Sequence, residues 1–399
     1  AIGFEALKTA TELDENLAIG YQALKLASGS AGTGHNLAIG ALAGGAITSG
    51  QFNVMIGRSA AGQATTTSDN VLMGYFAGYG IRSGSLNVMI GVQSGYNFRN
   101  GGGNNTYMGS YSGYHNALGA NNTYIGSNAG YGASGQSHSN NVGVGYRSLL
   151  SVTTGGNNTV VGRLAADAIT SGASNIVIGD SALGTATTAT ETVAIGSDAM
   201  SLVQAGQAIT GVVAIGQNAL KGGSTTTGID GTIAIGKDSL KVLTTGAGNT
   251  VIGYQAGDAM TGTSRTTIMG YQAGSAINSN DASGTTLFGH QAGQDITSGP
   301  YNTLVGDGAG KQILSGGNNT AIGYNAMDEL YDGVRNIAVG SNALGNIVGG
   351  TTSDGSNDNI AIGYQSQGGA WADVASLNNV SIGSYTLDGA MNGAVNNTT

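Results

Sequence analysis

The sequence predicts an all-β fold, a repetitive β-solenoid or β-roll with coils of about 17 residues, assembled as a homotrimeric fibre. Three observations predict it. A short motif recurs along the 399 residues, the spacing of its copies is nearly constant, and the composition does not suit a large globular core: there are 73 glycines, one tryptophan and only 9% charged residues. Copies such as "NLAIGYQALK" at 16–25 and "NTVIGYQAGD" at 249–258 differ by small changes.

A glycine that follows an apolar residue marks each copy and is called the marker glycine here. There are 22 markers, from Gly3 to Gly383, and 13 of the 21 intervals between them are 17 residues long. A short period held along a whole chain is typical of a solenoid, in which each copy forms one coil. We therefore expect a single continuous array of about 22 coils over residues 1–399, as a segment of a longer chain, with its longest inter-coil loops at 345–358 and 367–378.

Each position, numbered from the marker, has a physical interpretation. Apolar or β-branched residues at −3 and −1 predict a strand of about four residues with these two side chains facing the coil interior. The glycine suits a bend where a side chain would clash or φ is positive, and Ala or Ser at +3 suits a close approach of backbones. Asn at −4 can form a ladder of stacked amides. The repeat is represented by Asn16, Gly20, Asn175, Gly179, Asn249, Gly253, Asn319 and Gly323.

Position −2 is also apolar in most copies, for example at Val177 and Ile268. A strand that is apolar on both faces is usually buried on both faces, and a coil of about 17 residues has no second layer of its own. We therefore expect the −2 side chains to pack against neighbouring copies of the chain, most simply in a homotrimer or along a filament.

Composition and charge narrow the classes of partner. The net charge is −9 with only 13 Lys and Arg residues, so we expect no nucleic-acid partner. There is no run of 18 apolar residues, so we expect no membrane insertion. Without cysteine the chain has no disulfide, thiolate metal site or thiol nucleophile. The four histidines, His35, His115, His138 and His290, share no metal-ligand spacing, and we expect neither a metal nor a cofactor.

The copies at 16–24, 249–257 and 318–327 resemble the Asn-Thr-Ala-x-Gly-Tyr-Gln-Ala-Leu repeats of bacteriophage tail fibres and related surface proteins. The "VAIG" strings at 193–196 and 213–216 are similar to the core of the head repeats of trimeric autotransporter adhesins, which form left-handed β-rolls. The resemblance covers essentially the whole chain. It implies a trimeric, extended, extracellular fibre of a virion or cell surface that attaches to a host surface glycan or protein.

Three functions stay open at this point. The first is a structural and adhesive fibre shaft, and the second is a bacterial cell-surface adhesin or matrix filament subunit, which the sequence does not separate from a phage fibre. The third is a glycan-degrading enzyme of the tailspike kind, which requires a fixed cluster of acids and longer coils with a groove. The nearest pair of acids, Asp180 and Asp198, differs in register. We therefore expect no catalytic residues and no enzymatic activity.

Candidate receptor contacts are aromatic. Tyr254 and Tyr271 occupy position +1 of successive copies, where they form either a stabilising ladder or a surface that binds sugars. Trp371, the only tryptophan, lies in the loop at 367–378. It either stacks on a sugar ring or partner side chain or folds back over the coil interior or the interface between chains.

Overall fold

In a computed structural model the chain is all-β, and the expected β-solenoid is confirmed. The structure describes residues 1–10, 15–27, 34–99, 102–345, 355–369, 375–389 and 393–399. Within these ranges the only helix is the 3-10 turn Asn280–Ala282, and no helix is long and apolar enough to cross a membrane.

Short parallel strands recur once per coil. All but β12 and β14 consist of positions −3 to −1, so they have three residues rather than the expected four, because the marker glycine turns the chain directly afterwards. The strands are β1 (Leu17–Ile19), β2 (Leu37–Ile39), β3 (Val54–Ile56), β4 (Val71–Met73), β5 (Val88–Ile90), β6 (Thr106–Met108), β7 (Thr123–Ile125), β8 (Val142–Val144), β9 (Thr159–Val161), β10 (Ile176–Ile178), β11 (Val193–Ile195), β12 (Leu202–Val203), β13 (Val213–Ile215), β14 (Gly222–Thr226), β15 (Ile233–Ile235), β16 (Thr250–Ile252), β17 (Thr267–Met269), β18 (Thr286–Phe288), β19 (Thr303–Val305), β20 (Thr320–Ile322), β21 (Ile337–Val339), β22 (Ile360–Ile362) and β23 (Val380–Ile382).

The chain divides into two compact units. Unit 1 is Ala1–Ala194 with Ala205–Ala208, and unit 2 is Ile195–Gln204 with Ile209–Thr399. In unit 1, β1 to β10 pair in chain order, each parallel to the next, and equivalent positions lie opposite one another, as Ala18 lies opposite Ala38. In unit 2, β13 and β15 to β23 pair in the same way, while β12 and β14 form a separate pair.

The marker glycines have a conformation and a packing environment that exclude a side chain. Gly20 has φ +129, and a Cβ atom there would lie 2.7 Å from the carbonyl carbon of Gly40 in the next coil. Gly323 has φ +139, and a Cβ atom would lie 2.6 Å from the carbonyl oxygen of Gly340. Positive φ and the close backbone of the next coil therefore both require glycine at this position.

The asparagines at −4 form a ladder of side-chain amides. In unit 1 the Asn158 amide donates to Oδ1 of Asn141 and to the carbonyl oxygen of Gly172, both at 3.0 Å. Its own Oδ1 accepts from the backbone N–H of Asn175 at 3.1 Å. The same pattern starts at Asn16, whose Oδ1 accepts from the N–H of the next Asn at 2.9 Å.

Unit 2 contains both asparagine and threonine in this ladder. Asn249 Oδ1 accepts from the hydroxyl of Thr266 at 2.8 Å, and the backbone N–H of Asn319 donates to Asn302 Oδ1 at 2.9 Å. These side chains are buried. The ladder therefore satisfies backbone groups that would otherwise be buried without partners.

The coil interior is formed by positions −2, +3, +4 and +7. In the coil of Gly74 these residues are Leu72, Ala77, Gly78 and Ile81, and all four are buried. Most interior side chains are aliphatic, and a few coils hold a buried aromatic ring such as Tyr107. The narrow interior therefore accounts for an apolar content that consists mainly of Ala, Val, Ile and Leu.

The expected orientation of the strands was wrong. Val177 and Ile268, expected to contact neighbouring chains, are fully buried inside their own coils, whereas Ile176 and Ile178 are 44% and 40% exposed. A three-residue strand directs its middle side chain to one face and its two flanking side chains to the other. Because positions +3, +4 and +7 already fill the interior, it has room for the single middle residue only.

Candidate functional site

The outer strand face consists of positions −3 and −1 of the paired strands. In the described strands these positions hold only Val, Ile, Leu, Met, Phe or Thr, and none carries a charge. In unit 1 the most exposed members include Leu17, Ile176 and Ile178, and in unit 2 they include Phe288 at 52% and Ile382 at 62%. In-register parallel pairing places equivalent residues side by side, so each unit presents an apolar strip along its stack of coils.

The strip is large for a surface patch. In unit 1 ten strands each contribute two of these partly exposed side chains, and most of these side chains are aliphatic. An ordinary monomer exposes apolar patches of roughly 300–600 Å², and one partner in a stable complex buries about 800 Å². A row of twenty such side chains along one unit is typical of a surface that another protein covers.

Tyr254 and Tyr271 lie together as the sequence suggested. Their ring centroids are 5.3 Å apart with planes 9° from parallel, and the His290 ring continues the stack 5.3 Å beyond Tyr271. The Lys237 ammonium lies 5.8 Å from the Tyr254 centroid. The two tyrosine residues are 39% and 46% exposed. The stack accounts for the regular placement of these residues, and their contact with a receptor stays a prediction.

The two predicted long loops are described only in part. Trp371 lies outside the described residues, as do 346–354 and the remainder of 370–374. The expectation that Trp371 contacts a receptor therefore stays a prediction, together with its structural alternative.

A longer aromatic ladder in unit 1 was not identified from the sequence. Tyr79, Tyr96, Tyr114 and Tyr131 stack in order, with centroids 5.2, 5.2 and 5.1 Å apart and planes within 14° of parallel. All four are at position +5 of successive copies. The shared position +5 is visible in the sequence, although the ladder predicted from the sequence included only tyrosines at position +1.

Aromatic groups flank this ladder. Phe76 meets Tyr79 edge to face at 4.9 Å, and the His115 ring meets Tyr131 edge to face at 5.0 Å. Burial and the neighbouring phenols raise the pKa of Tyr114, and burial lowers the pKa of His115. The ladder is therefore an uncharged, half-buried wall on one side of unit 1.

A polar groove of about 310 Å³ lies along this wall. It is lined by Gln63, Tyr79, Arg82, Tyr96, Asn97 and Arg99. Residues 16–166 contain six of the 13 Lys and Arg residues of the chain but only one of its 22 Asp and Glu residues. The groove therefore lies in a basic part of an otherwise acidic protein.

Asp180, one of the two acids named from the sequence, and Asp307 each lie in an ion pair with a residue of the preceding coil. Asp180 Oδ2 accepts from Arg163 Nη2 at 2.7 Å, and Asp307 Oδ1 lies 3.0 Å from His290 Nδ1. Asp180 belongs to unit 1 and Asp198 to unit 2. These exposed pairs connect successive coils and are typical of a stabilised surface.

The carboxyls around Asp328 were not identified as candidates from the sequence. Burial, followed by the nearby charge of Glu329, raises the pKa of Asp328 to about 6, and Asp295 adds to the effect while Lys311 opposes it. Within the described residues, no three His, Cys, Asp or Glu side chains are arranged to hold a metal. Among the described carboxyls whose pKa is raised, Asp328 is the one whose pKa is raised most.

His138 is the most buried of the histidines. Its Nδ1 lies 2.8 Å from the Tyr124 hydroxyl, and its Nε2 has no hydrogen-bond partner among the described residues. Burial lowers its pKa to about 4. The ring is therefore a neutral part of the coil interior at physiological pH.

Comparison with known proteins found no protein-family model that matches this chain and no curated protein with significant similarity to it.

Proposed function

We propose that this chain is the structural and adhesive shaft of an extracellular fibre, a phage tail fibre that attaches a virion to its host. The observation that carries the proposal is the outer strand face, an uncharged apolar strip on each solenoid unit. A strip of this length needs a covering surface. A fibre of several chains supplies one along its whole length.

Other copies of the same chain are the best fit as partners. The strip repeats at a constant coil spacing, and an identical chain placed in register has the same spacing and length. Homo-oligomers with closed symmetry are the commonest assemblies of soluble proteins. A trimer packs three such strips around one axis, which buries every strip and leaves the turns exposed for recognition.

We propose that the chain acts by scaffolding and binding, without catalysis and without a cofactor. The exposed acids near the strand ends lie in ion pairs such as Asp180 with Arg163 and Asp307 with His290, which supports a structural role for them. The raised pKa of Asp328 is the single observation that favours a glycan-degrading enzyme. Release of reducing sugar from purified host polysaccharide, lost in Asp328→Asn, would establish that alternative.

A bacterial surface adhesin or matrix filament would use the same assembly. Antibodies raised against the purified chain separate the two origins. Labelling of tail fibres on intact virions, and block of adsorption to host cells by the purified chain, are expected for the phage fibre. Labelling confined to bacterial surfaces or extracellular filaments would contradict it and favour the adhesin.

A further inference from the structure

The groove beside the tyrosine ladder is built from equivalent positions of successive coils. Arg82 and Arg99 both occupy position +8, and the backbone N–H of Arg82 donates to the carbonyl oxygen of Arg99 at 2.9 Å. Tyr79 and Tyr96 occupy position +5 and form the facing wall. The two guanidinium groups therefore extend from adjacent coils at the edge of one groove, and both side chains are exposed.

Two like charges on adjacent coils repel each other, and this arrangement differs from that of two other described arginines. Arg163 is paired with Asp180 of the next coil, and Arg335 with Asp358 of the next coil. At Arg82 the next coil supplies Arg99 instead. Among the described residues no carboxylate lies within ion-pair distance of either arginine in the groove. An external anion would relieve the repulsion and use both guanidinium groups.

The other lining groups favour a sugar as the carrier of that anion. Gln63 and Asn97 provide amide groups, and the tyrosines provide hydroxyls, so the groove offers both donors and acceptors to sugar hydroxyl groups. The tyrosine faces stack on one another at about 5.2 Å. The faces that meet in this stack are covered by each other, so they offer no free platform for a nucleic-acid base. Paired strands place successive coils about 4.8 Å apart, so Arg82 and Arg99 present their charges at the interval of one coil.

We propose that this groove binds carboxylate-bearing sugars of an anionic polysaccharide, with one carboxylate at each of Arg82 and Arg99. Hydroxyl groups of the same sugars contact Gln63, Asn97 and the tyrosine hydroxyls. The inference deepens the proposed attachment function by naming its ligand class and its residues, and it rests on that function. The two sources of such sugars are polyuronates and polysialic acid.

The test measures binding by calorimetry to three oligosaccharides of equal length, which are oligogalacturonate, oligosialate and neutral maltohexaose. It also measures binding to an oligothymidylate whose charge matches that of the acidic sugars. The groove variant is Arg82→Gln with Arg99→Gln. The control variant, Arg163→Gln with Arg265→Gln, removes the same charge at exposed sites outside the groove. We expect one or both acidic ligands to bind and the neutral one not to bind. The groove variant should bind at least about tenfold more weakly, because charged hydrogen bonds are lost, and the control should match the parent.

Several results would overturn this proposal. They are equal binding by the groove variant and the parent, equal binding of maltohexaose, tighter binding of an oligothymidylate of matched charge, or no binding of either acidic sugar. Cell attachment distinguishes this failure from failure of the proposed function. If assembled groove-variant fibres attach to host cells as well as the parent does, the groove assignment is wrong and the fibre function stands. If the parent neither assembles nor attaches, the proposed function itself is wrong.

Discussion

A Cβ atom on Gly78 would lie 2.8 Å from Cδ2 of Leu72, which belongs to the same coil. The glycine leaves space that the leucine fills. The same relationship joins Gly113 and Tyr107, where a Cβ atom would lie 2.5 Å from the ring. Position −2 and position +4 therefore face each other across the coil interior and share one volume.

The shared volume predicts compensation between Leu72 and Gly78. Leu72→Ala should cost about 2–5 kcal/mol through loss of burial and an unfilled cavity, and Gly78→Leu alone should cost about 1–3 kcal/mol through overpacking. The double variant resembles Ala214 with Leu220, where leucine adopts φ +47 at the equivalent position. We expect it to recover most of the stability.

Urea denaturation of the four proteins completes a double-mutant cycle. Favourable coupling of more than about 1 kcal/mol supports the shared volume, since contacting residues couple on this scale. Additive losses would mean that the two positions do not share one space.

The asparagine ladder predicts a second large effect. Asn158→Ala removes the amide that donates to Gly172 and the Oδ1 that accepts from Asn175. Because these buried backbone groups lose their partners, the free energy of unfolding should fall by about 3 kcal/mol, measured by denaturant titration. Asn158→Thr is the matched variant, since Thr192 occupies this position in the next coil but one.

The threonine variant should lose less than the alanine variant, because its hydroxyl keeps one hydrogen-bonding group in the ladder. Equal and small losses for both variants would mean that water satisfies the backbone and that the ladder adds little.

The repeat period and the position of the bend could be predicted from the sequence, because one glycine recurs where the backbone requires it. The orientation of the strand could not. Ile176, Val177 and Ile178 are all apolar, so their pattern alone does not show which face is inside. The interior face is shown instead by the pairing of a large residue with a small one, as Leu72 pairs with Gly78. This pairing is seen only when positions −2 and +4 of the same copy are compared.

One candidate surface, the stack of Tyr254 and Tyr271, was predicted from the sequence, and the groove at Arg82 and Arg99 was not. Tyr254 and Tyr271 were found because two neighbouring copies carry the same residue directly after the marker. Arg82 and Arg99 are eight residues from their markers, in the part of the repeat whose length varies. Their shared position +8 was present in the sequence, but the groove that they line with Tyr79 and Tyr96 depends on how the turns stack, which the sequence alone does not give.

His138 predicts a pH dependence of stability. Its pKa is lowered from 6.5 to about 4 in the folded chain, so protonation favours the unfolded state. The cost is absent above pH 6.5, grows as the pH falls towards about 4, and should reach about 2 kcal/mol at pH 5. Thermal or urea unfolding at pH 7 and pH 5 measures it.

His138→Gln is expected to lose this pH-dependent cost, while every other titrating group remains. The difference between the two proteins therefore isolates the histidine. An equal drop in stability between pH 7 and pH 5 in both proteins would contradict its assignment as a buried neutral group.

Asp328 predicts the opposite effect of pH on the free energy of unfolding. Its pKa is raised from 3.8 to about 6, so its charged form destabilises the fold above pH 6, and this penalty disappears as the pH falls below about 4. Because the group is half exposed, Asp328→Asn should raise stability at pH 7 by only about 1 kcal/mol. The gain should fade between pH 6 and pH 4, and a gain that persists at pH 4 would contradict the assignment.

The outer strand face predicts different consequences for two adjacent residues. Ile178→Asp places a charge on the exposed face and should prevent association while the β-rich circular dichroism spectrum is kept. Val177→Asp buries an unpaired charge in the coil interior, at a cost of several kcal/mol, and should disrupt folding of that coil. Loss of structure in both variants, or in neither, would contradict the orientation of the strand.

Sedimentation equilibrium of the purified 399-residue chain is the most direct test of the proposed fibre. At micromolar concentration we expect a mass three times that of the 39.3 kDa chain. The Ile178→Asp and Ile322→Asp double variant, with one charge on the outer face of each unit, is expected to sediment as a folded monomer. A monomeric parent chain, or a double variant that still forms the trimer, would contradict the proposal that this face holds the chains together.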